Sequence, residues 1–250
     1  MTVWYMNGAG NNFAVIDARN IYVDMSETAI TLCENRKYDG FMALDKSEIA
    51  DFKLHFYNND GSRAEMCGNG ARCICRFAYD NNIASKKMTI ETDAGIVEGE
   101  RISESVYRIR LNDAKELTLD KAQGVDYVRV GVPHTVISID KLEFNKKAEL
   151  LEYARKIRNE HNANVNFYSK INESTVKILT YERGVEDFTL ACGTGSGATA
   201  LILFKRGIIK NNEVTLQNQG GDLKVILTQN QAIHLEGEAK VDAIKENVGV

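Results

Sequence analysis

Two short segments of this 250-residue chain carry one pattern, Cys67-Gly68-Asn69-Gly70-Ala71 and Cys192-Gly193-Thr194-Gly195-Ser196, offset by 125 positions. Each reads as a loop between a strand and a helix. Glycines let such a loop turn tightly and let a ligand approach the backbone. The free N–H groups at a helix start, together with the helix dipole, form an anion site suited to a carboxylate or phosphate. A thiol at that place is expected to ionise more readily than a free cysteine and to act as a base or nucleophile. Each segment therefore offers a reactive thiol beside an anion cradle. Facing one bound carboxylate, one thiolate could remove a proton from the adjacent carbon while the other thiol returned one to the opposite face. That inverts a stereocentre, with the helix N-termini stabilising the developing charge.

The elements that must hold these loops are short. Period-2 alternation predicts strands around Met88-Ile90-Thr92, Tyr107-Ile109-Leu111, Val214-Leu216, Val225-Leu227 and Ile233-Leu235. Asn59-Asp60-Gly61, Asn81-Asn82, Asn211-Asn212 and Gly220-Gly221 mark turns between them. Helical patterns run from Ser26 or Glu27 through Thr28 to Arg36, and from Lys146 to Glu160 with an apolar stripe at Leu150, Leu151, Ala154 and Ile157. Two more helices open inside the glycine loops, over about 70–79 and 195–206. The second is apolar on every side from Ala198 to Phe204, which requires protein all round it. Lys205 and Arg206 suit its C-terminal dipole and Gly207 its C′ position.

Context repeats with the loops. After each helix come Asn-Asn, a strand opening at Met88 or Val214, and a glycine turn at Gly95 or Gly221. The expectation is two related α+β halves: residues 1–114, completed by the segment 240–250, and 115–239, whose repeated elements start near Asp120.

Composition narrows the function. Thirty-one Lys+Arg against 35 Asp+Glu give a net charge of −4, without the basic surface of a nucleic-acid binder. A hydrophobic content of 44% with 26% charged residues is a globular balance, and Pro133 is the one proline, which excludes a proline-rich linker. No basic n-region followed by an apolar stretch opens the chain, and the run Ala198–Phe204 is too short to span a bilayer. Five cysteines without an export signal read as free thiols of a cytoplasmic protein.

Other chemistries are weaker. Cys33, Cys73 and Cys75 read as small buried hydrophobes. Cys67, Cys73 and Cys75 have C-x5-C-x-C spacing, a poor zinc pattern, and His55, His134, His161 and His234 are scattered, so no metal is expected. His134, beside Pro133, reads as structural. Gly193 to Ala198 fits a G-x-G-x-x-A dinucleotide pattern, but Glu213, about twenty residues on, starts a strand instead of ending one.

Met66-Cys67-Gly68-Asn69-Gly70-Ala71-Arg72-Cys73, with Tyr181-Glu182-Arg183-Gly184 and Ala191-Cys192-Gly193-Thr194-Gly195, resembles the paired signatures of the diaminopimelate epimerase family. Met6 to Phe13, Phe56 to Ser62 and Val132-Pro133-His134 also resemble that family, in order along the chain. The resemblance implies two pseudo-symmetric halves, each a curved mixed sheet wrapped around a central helix, with the active site in the cleft between them. It implies cofactor-independent epimerisation of LL-2,6-diaminopimelate to the meso form, toward lysine and peptidoglycan precursors, by a homodimer. Cys67 and Cys192 would be the acid/base pair. Gly68, Asn69, Gly193 and Thr194 would cradle the reacting carboxylate, and Asn11 would contact substrate. Asn58, Asn164, Glu182 and Arg183 would hold the distant amino-acid end, Arg183 gripping a carboxylate and Glu182 an ammonium.

Three positions depart from the family pattern. Val132 stands where many members have asparagine, the segment Arg36–Phe41 is short with Gly40 replacing a side chain, and Asn12 replaces an acidic or small polar residue. The alternatives are a racemase or epimerase of another amino acid (lanthionine, proline or glutamate) and a non-catalytic carboxylate-binding or thiol-redox module.

Overall fold

The fold is described from a computed structural model covering residues 1–33, 38–64, 67–120, 122 and 124–249. The chain divides into two compact units, Met1–Ile109 with Gly237–Val250, and Arg110–Glu236.

In the first unit, β1 (Val3–Gly8) pairs antiparallel with β2 (Asn11–Asp17), and β2 pairs parallel with β3 (Gly40–Asp45) after helix α1 (Met25–Leu32). β3 pairs antiparallel with β4 (Phe52–Asn58), and the two-residue β5 (Arg63–Ala64) folds back on β4. Helix α2 (Gly68–Asp80) then crosses to β6 (Lys87–Thr92), parallel to β4, which continues antiparallel into β7 (Gly95–Arg101) and β8 (Val106–Arg110).

The second unit repeats this course. β9 (Ala114–Thr118) lies beside β10 (Val125–Val130), which pairs antiparallel with β11 (Val132–Ser138). Helix α3 (Leu151–His161) leads to β12 (Asn164–Lys170), parallel to β11 and antiparallel to β13 (Thr175–Glu182). The short β14 (Asp187–Phe188) folds onto β13, helix α4 (Gly193–Lys205) follows, and β15 (Glu213–Asn218) returns parallel to β13 before β16 (Gly221–Leu227) and β17 (Ile233–Glu238). The last strand, β18 (Lys240–Lys245), pairs with β1 as β9 pairs with β10. The class is α+β: in each unit a mixed sheet packs around one helix.

Burial follows the sequence pattern. Met88, Ile90 and Thr92 of β6 and Val214 and Leu216 of β15 are buried, while the residues between them are partly exposed. Ala198, Ala200, Leu201, Ile202 and Leu203 of α4 are all buried. Each large aliphatic among them gains about 1.5–3 kcal/mol by leaving water, which fixes α4 inside its sheet. Gly207, with φ of 69°, follows α4 in the left-handed conformation.

Helix α1 starts beside Ser26, as its pattern predicts: Asp24 is the N-cap, its carboxylate accepting from the Glu27 backbone N–H, and Ser26 donates to the Gly61 carbonyl. The helix expected over 146–160 is instead a 3-10 helix over Phe144–Leu150 followed by α3, and no side chain caps the N-terminus of either piece. Arg36, at the far end of the first predicted helix, lies outside the described residues.

Candidate active site

The first unit assembles its thiol loop from β1, β2 and α2. Cys67 is the N-cap of α2, extended at φ −119° and half-buried, and its side chain does not cap the helix. Gly68 and Asn69 form the first turn. Asn69 is buried, and its amide donates to Asn11 Oδ1 at 2.7 Å, so two predicted substrate-contacting residues meet. Asn11 opens β2 directly opposite Gly8, after a turn at Ala9 and Gly10 with positive φ. A Cβ on Gly8 would lie 2.8 Å from the Asn69 carbonyl oxygen; only glycine lets β1 pass this close to α2.

Asn58 has a different setting. It ends β4, exposed, and its amide donates to Ser62 Oγ at 2.9 Å within the 58–62 turn. The residues grouped with it by resemblance, Asn164, Glu182 and Arg183, all belong to the second unit. Gly40 is explained by packing, since a Cβ there would meet the Tyr57 carbonyl oxygen and the Phe56 ring at 2.7 Å. Asn12 is held on both sides, its side-chain oxygen accepting from Asn7 and its backbone N–H donating to Asp39, each at 2.7 Å.

The second loop has the same backbone and different chemistry. Cys192 is buried and caps α4: its Sγ accepts the Gly195 N–H at 3.3 Å and lies 3.5 Å from Thr194 Oγ1. Glu182, at the end of β13, accepts from Thr189 Oγ1 at 2.6 Å and is hydrogen-bonded to the Cys192 side chain. Burial pushes the Glu182 carboxyl above the usual carboxylate range, and these two hydrogen bonds only partly offset it. Glu182 therefore contacts the thiol that its predicted role placed at a distance. No local pattern announces this contact, because the short β14 and the 189–191 segment bring the two together.

Arg183 is exposed. Its backbone N–H donates to Asn164 Oδ1 at 2.8 Å and its guanidinium to the Asn162 carbonyl at 3.1 Å. Asn164 and Arg183 are thus joined, with Arg183 keeping other donors available for an anion. Val132, at the start of β11, is 39% exposed and adds no polar group.

Behind Cys192 lies a buried polar network. Asn166 on β12 donates to the Thr135 carbonyl at 2.7 Å, accepts from Thr180 Oγ1 at 2.9 Å, and has its amide 3.2 Å from His134 Nδ1. With both amide hydrogens so directed, Nδ1 is the acceptor and the His134 proton sits on Nε2, which has no partner among the described residues. Burial pushes His134 down to about 3, so it is neutral at neutral pH. A buried orphan donor is a natural acceptor-binding point. Burial pushes Cys33, Cys73 and Cys75 up to about 12, which makes them inert thiols. Among the described residues no group of three His, Cys, Asp or Glu could hold a metal ion, and no helix is long and apolar enough to cross a membrane.

Comparison with known proteins bears on this arrangement. The family model described as diaminopimelate epimerase matches residues 3–107 and 127–241. The diaminopimelate epimerase of a Nitratiruptor species is 36% identical over 250 residues, covering 97% of each chain. That of Aquifex aeolicus (strain VF5) is 34% identical over 253 residues, covering 90% of this chain and 89% of the relative. Among solved structures, a Bacillus anthracis phenazine biosynthesis protein of the PhzF family aligns with a TM-score of 0.74 at 15% identity, over 100% of this chain and 99% of that one. A hydroxyproline epimerase from Agrobacterium vitis aligns with a TM-score of 0.70 at 15% identity, over 98% and 90%. The structural likenesses concern the fold, and the sequence matches establish descent: the chain belongs to the diaminopimelate epimerase family.

Proposed function

We propose that this protein is an isomerase that converts LL-2,6-diaminopimelate to meso-diaminopimelate without a cofactor, in the synthesis of lysine and peptidoglycan precursors. The observation that carries the reading is the duplicated loop. Two chain segments of one pattern each set a cysteine at the N-cap of a buried helix, an end whose first-turn N–H groups and dipole favour an anion. In this reading Cys67 and Cys192 are the acid/base pair acting on opposite faces of one α-carbon. The first-turn N–H groups of Gly68, Asn69, Gly193 and Thr194 take the reacting carboxylate, whose negative charge grows as the α-proton leaves. Asn11 orients the substrate through Asn69. Asn164 and Arg183, with Glu182, select the distant amino-acid end, and Asn58 is assigned there by family resemblance. A homodimer in the cytoplasm completes the reading.

The test is proton NMR of LL-diaminopimelate with reduced protein in D2O, beside Cys67→Ala and Cys192→Ala. Loss of the α-proton signal with appearance of the meso isomer is expected for the wild type. Each variant should lose at least about 1,000-fold in epimerisation, within the range of general acid–base contributions. Exchange only with another amino acid from a small panel moves the substrate. No exchange from folded, reduced protein overturns the assignment.

A further inference from the structure

Among the described residues Arg72 is the largest fully buried side chain. It sits one turn into α2, donating from Nη1 to the Gly68 carbonyl at 3.2 Å and from Nη2 to Asn69 Oδ1 at 2.9 Å, while Nε has no partner among the described residues. No carboxylate among the described residues forms an ion pair with it. Burying an unpaired guanidinium is costly, and the group stays charged, so a counter-charge is expected nearby. Three thiols lie close enough to act on it electrostatically: Cys67, Cys73 and Cys75. Cys73 and Cys75 are buried and pushed up to about 12, so neither supplies an anion at neutral pH. Cys67, half-buried at the helix start, is the remaining one.

The matching position in the second unit carries no cation. It is Gly197, 125 residues further on, where even a Cβ would lie 2.6 Å from Leu111 Cδ1 and 3.3 Å from Ile233 Cγ2. Cys192 has the Glu182 carboxyl beside it instead.

We propose that Arg72 is a positioning residue for the first thiol: a fixed, buried cation that favours the thiolate of Cys67 and, through its hydrogen bond to Asn69, sets the first turn of α2 to receive a carboxylate. The proposal deepens the two-thiol reading of Cys67 and assigns the two loops unequal electrostatics, cationic in the first and carboxylate-bearing in the second.

The experiment is iodoacetamide alkylation of the reduced full chain across a pH series, mapped by peptide mass spectrometry to Cys67 and Cys192 separately. In the wild type the Cys67 midpoint should lie about one unit or more below that of Cys192. Arg72→Gln should raise the Cys67 midpoint by about one unit or more and leave Cys192 in place. Arg72→Lys, which keeps the charge and loses the fork, should move the midpoint less while raising KM more than it lowers kcat. A merely structural arginine would not move one midpoint alone. An unchanged Cys67 midpoint in folded Arg72→Gln overturns the proposal. Should that variant not fold, equal or reversed midpoints in the wild type overturn it. Alkylation requires no turnover, so failure here is distinguishable from failure of the epimerase reading, which the D2O exchange decides.

Discussion

The loops at Cys67 and Cys192 share a backbone and differ in burial and in the side chains that pack behind them. The first thiol does not cap its helix, is half-buried, and opens a helix whose first-turn Gly68 and Asn69 bind the buried Arg72. The second is buried, caps α4, and is backed by Glu182 and a neutral histidine network. The two units keep the same glycine-rich helix start, whose geometry comes from the backbone, and differ in the side chains packed behind it.

The contrast can be broken most forcefully with acid. His134 is held neutral down to about 3 when folded, against an ordinary value near 6.5. Between these pH values the unfolded chain binds the proton first, so the contribution is present above about 6.5 and is lost as pH falls toward 3. The loss should reach about 3–5 kcal/mol at the acid end. Urea unfolding at stepped pH measures it, and His134→Gln should flatten the dependence in that window. Equal slopes for the two proteins would mean that His134 is not the titrating group.

Glycine substitutions sharpen the same comparison. A Cβ on Gly195 would fall on Asn166 Oδ1 and lie 3.1 Å from Thr180 Oγ1, both fixed in the network. Gly195→Ala should cost about 1–3 kcal/mol, as overpacking does, and thermal denaturation will show it. The equivalent Gly70→Ala meets the flexible Met42 Sδ at 3.1 Å and should cost less. Equal losses would erase the asymmetry.

The smallest effect is expected at Thr189. Thr189→Val removes a hydrogen bond that favours the Glu182 carboxylate, so Glu182 should shift further upward. The acid limb of the kcat profile should move to higher pH, with less than a tenfold change at the plateau, about one hydrogen bond's worth. An unmoved limb would separate Glu182 from the chemistry.

Much of this was legible in the chain. Period-2 alternation located β6, β8, β15, β16 and β17, because a strand with one buried face must alternate. The all-round apolar run of α4 announced burial, and the two cysteine loops announced a repeat. What stayed hidden were contacts between residues far apart in sequence. Asn69 and Asn11 are 58 positions apart, and Asn166 and His134 are 32 apart.

By itself, then, the sequence determined the repeat, the strand and helix periods, and the placement of each thiol at a helix start. All of these depend on neighbours within a few residues. Tertiary structure alone decided that Arg72 is buried, that His134 is neutral, that Gly40 admits no side chain, and that Glu182 meets Cys192. Charge state and polar partnership depend on desolvation by elements brought together only when the sheet closes around its helix, and no local spacing encodes that environment.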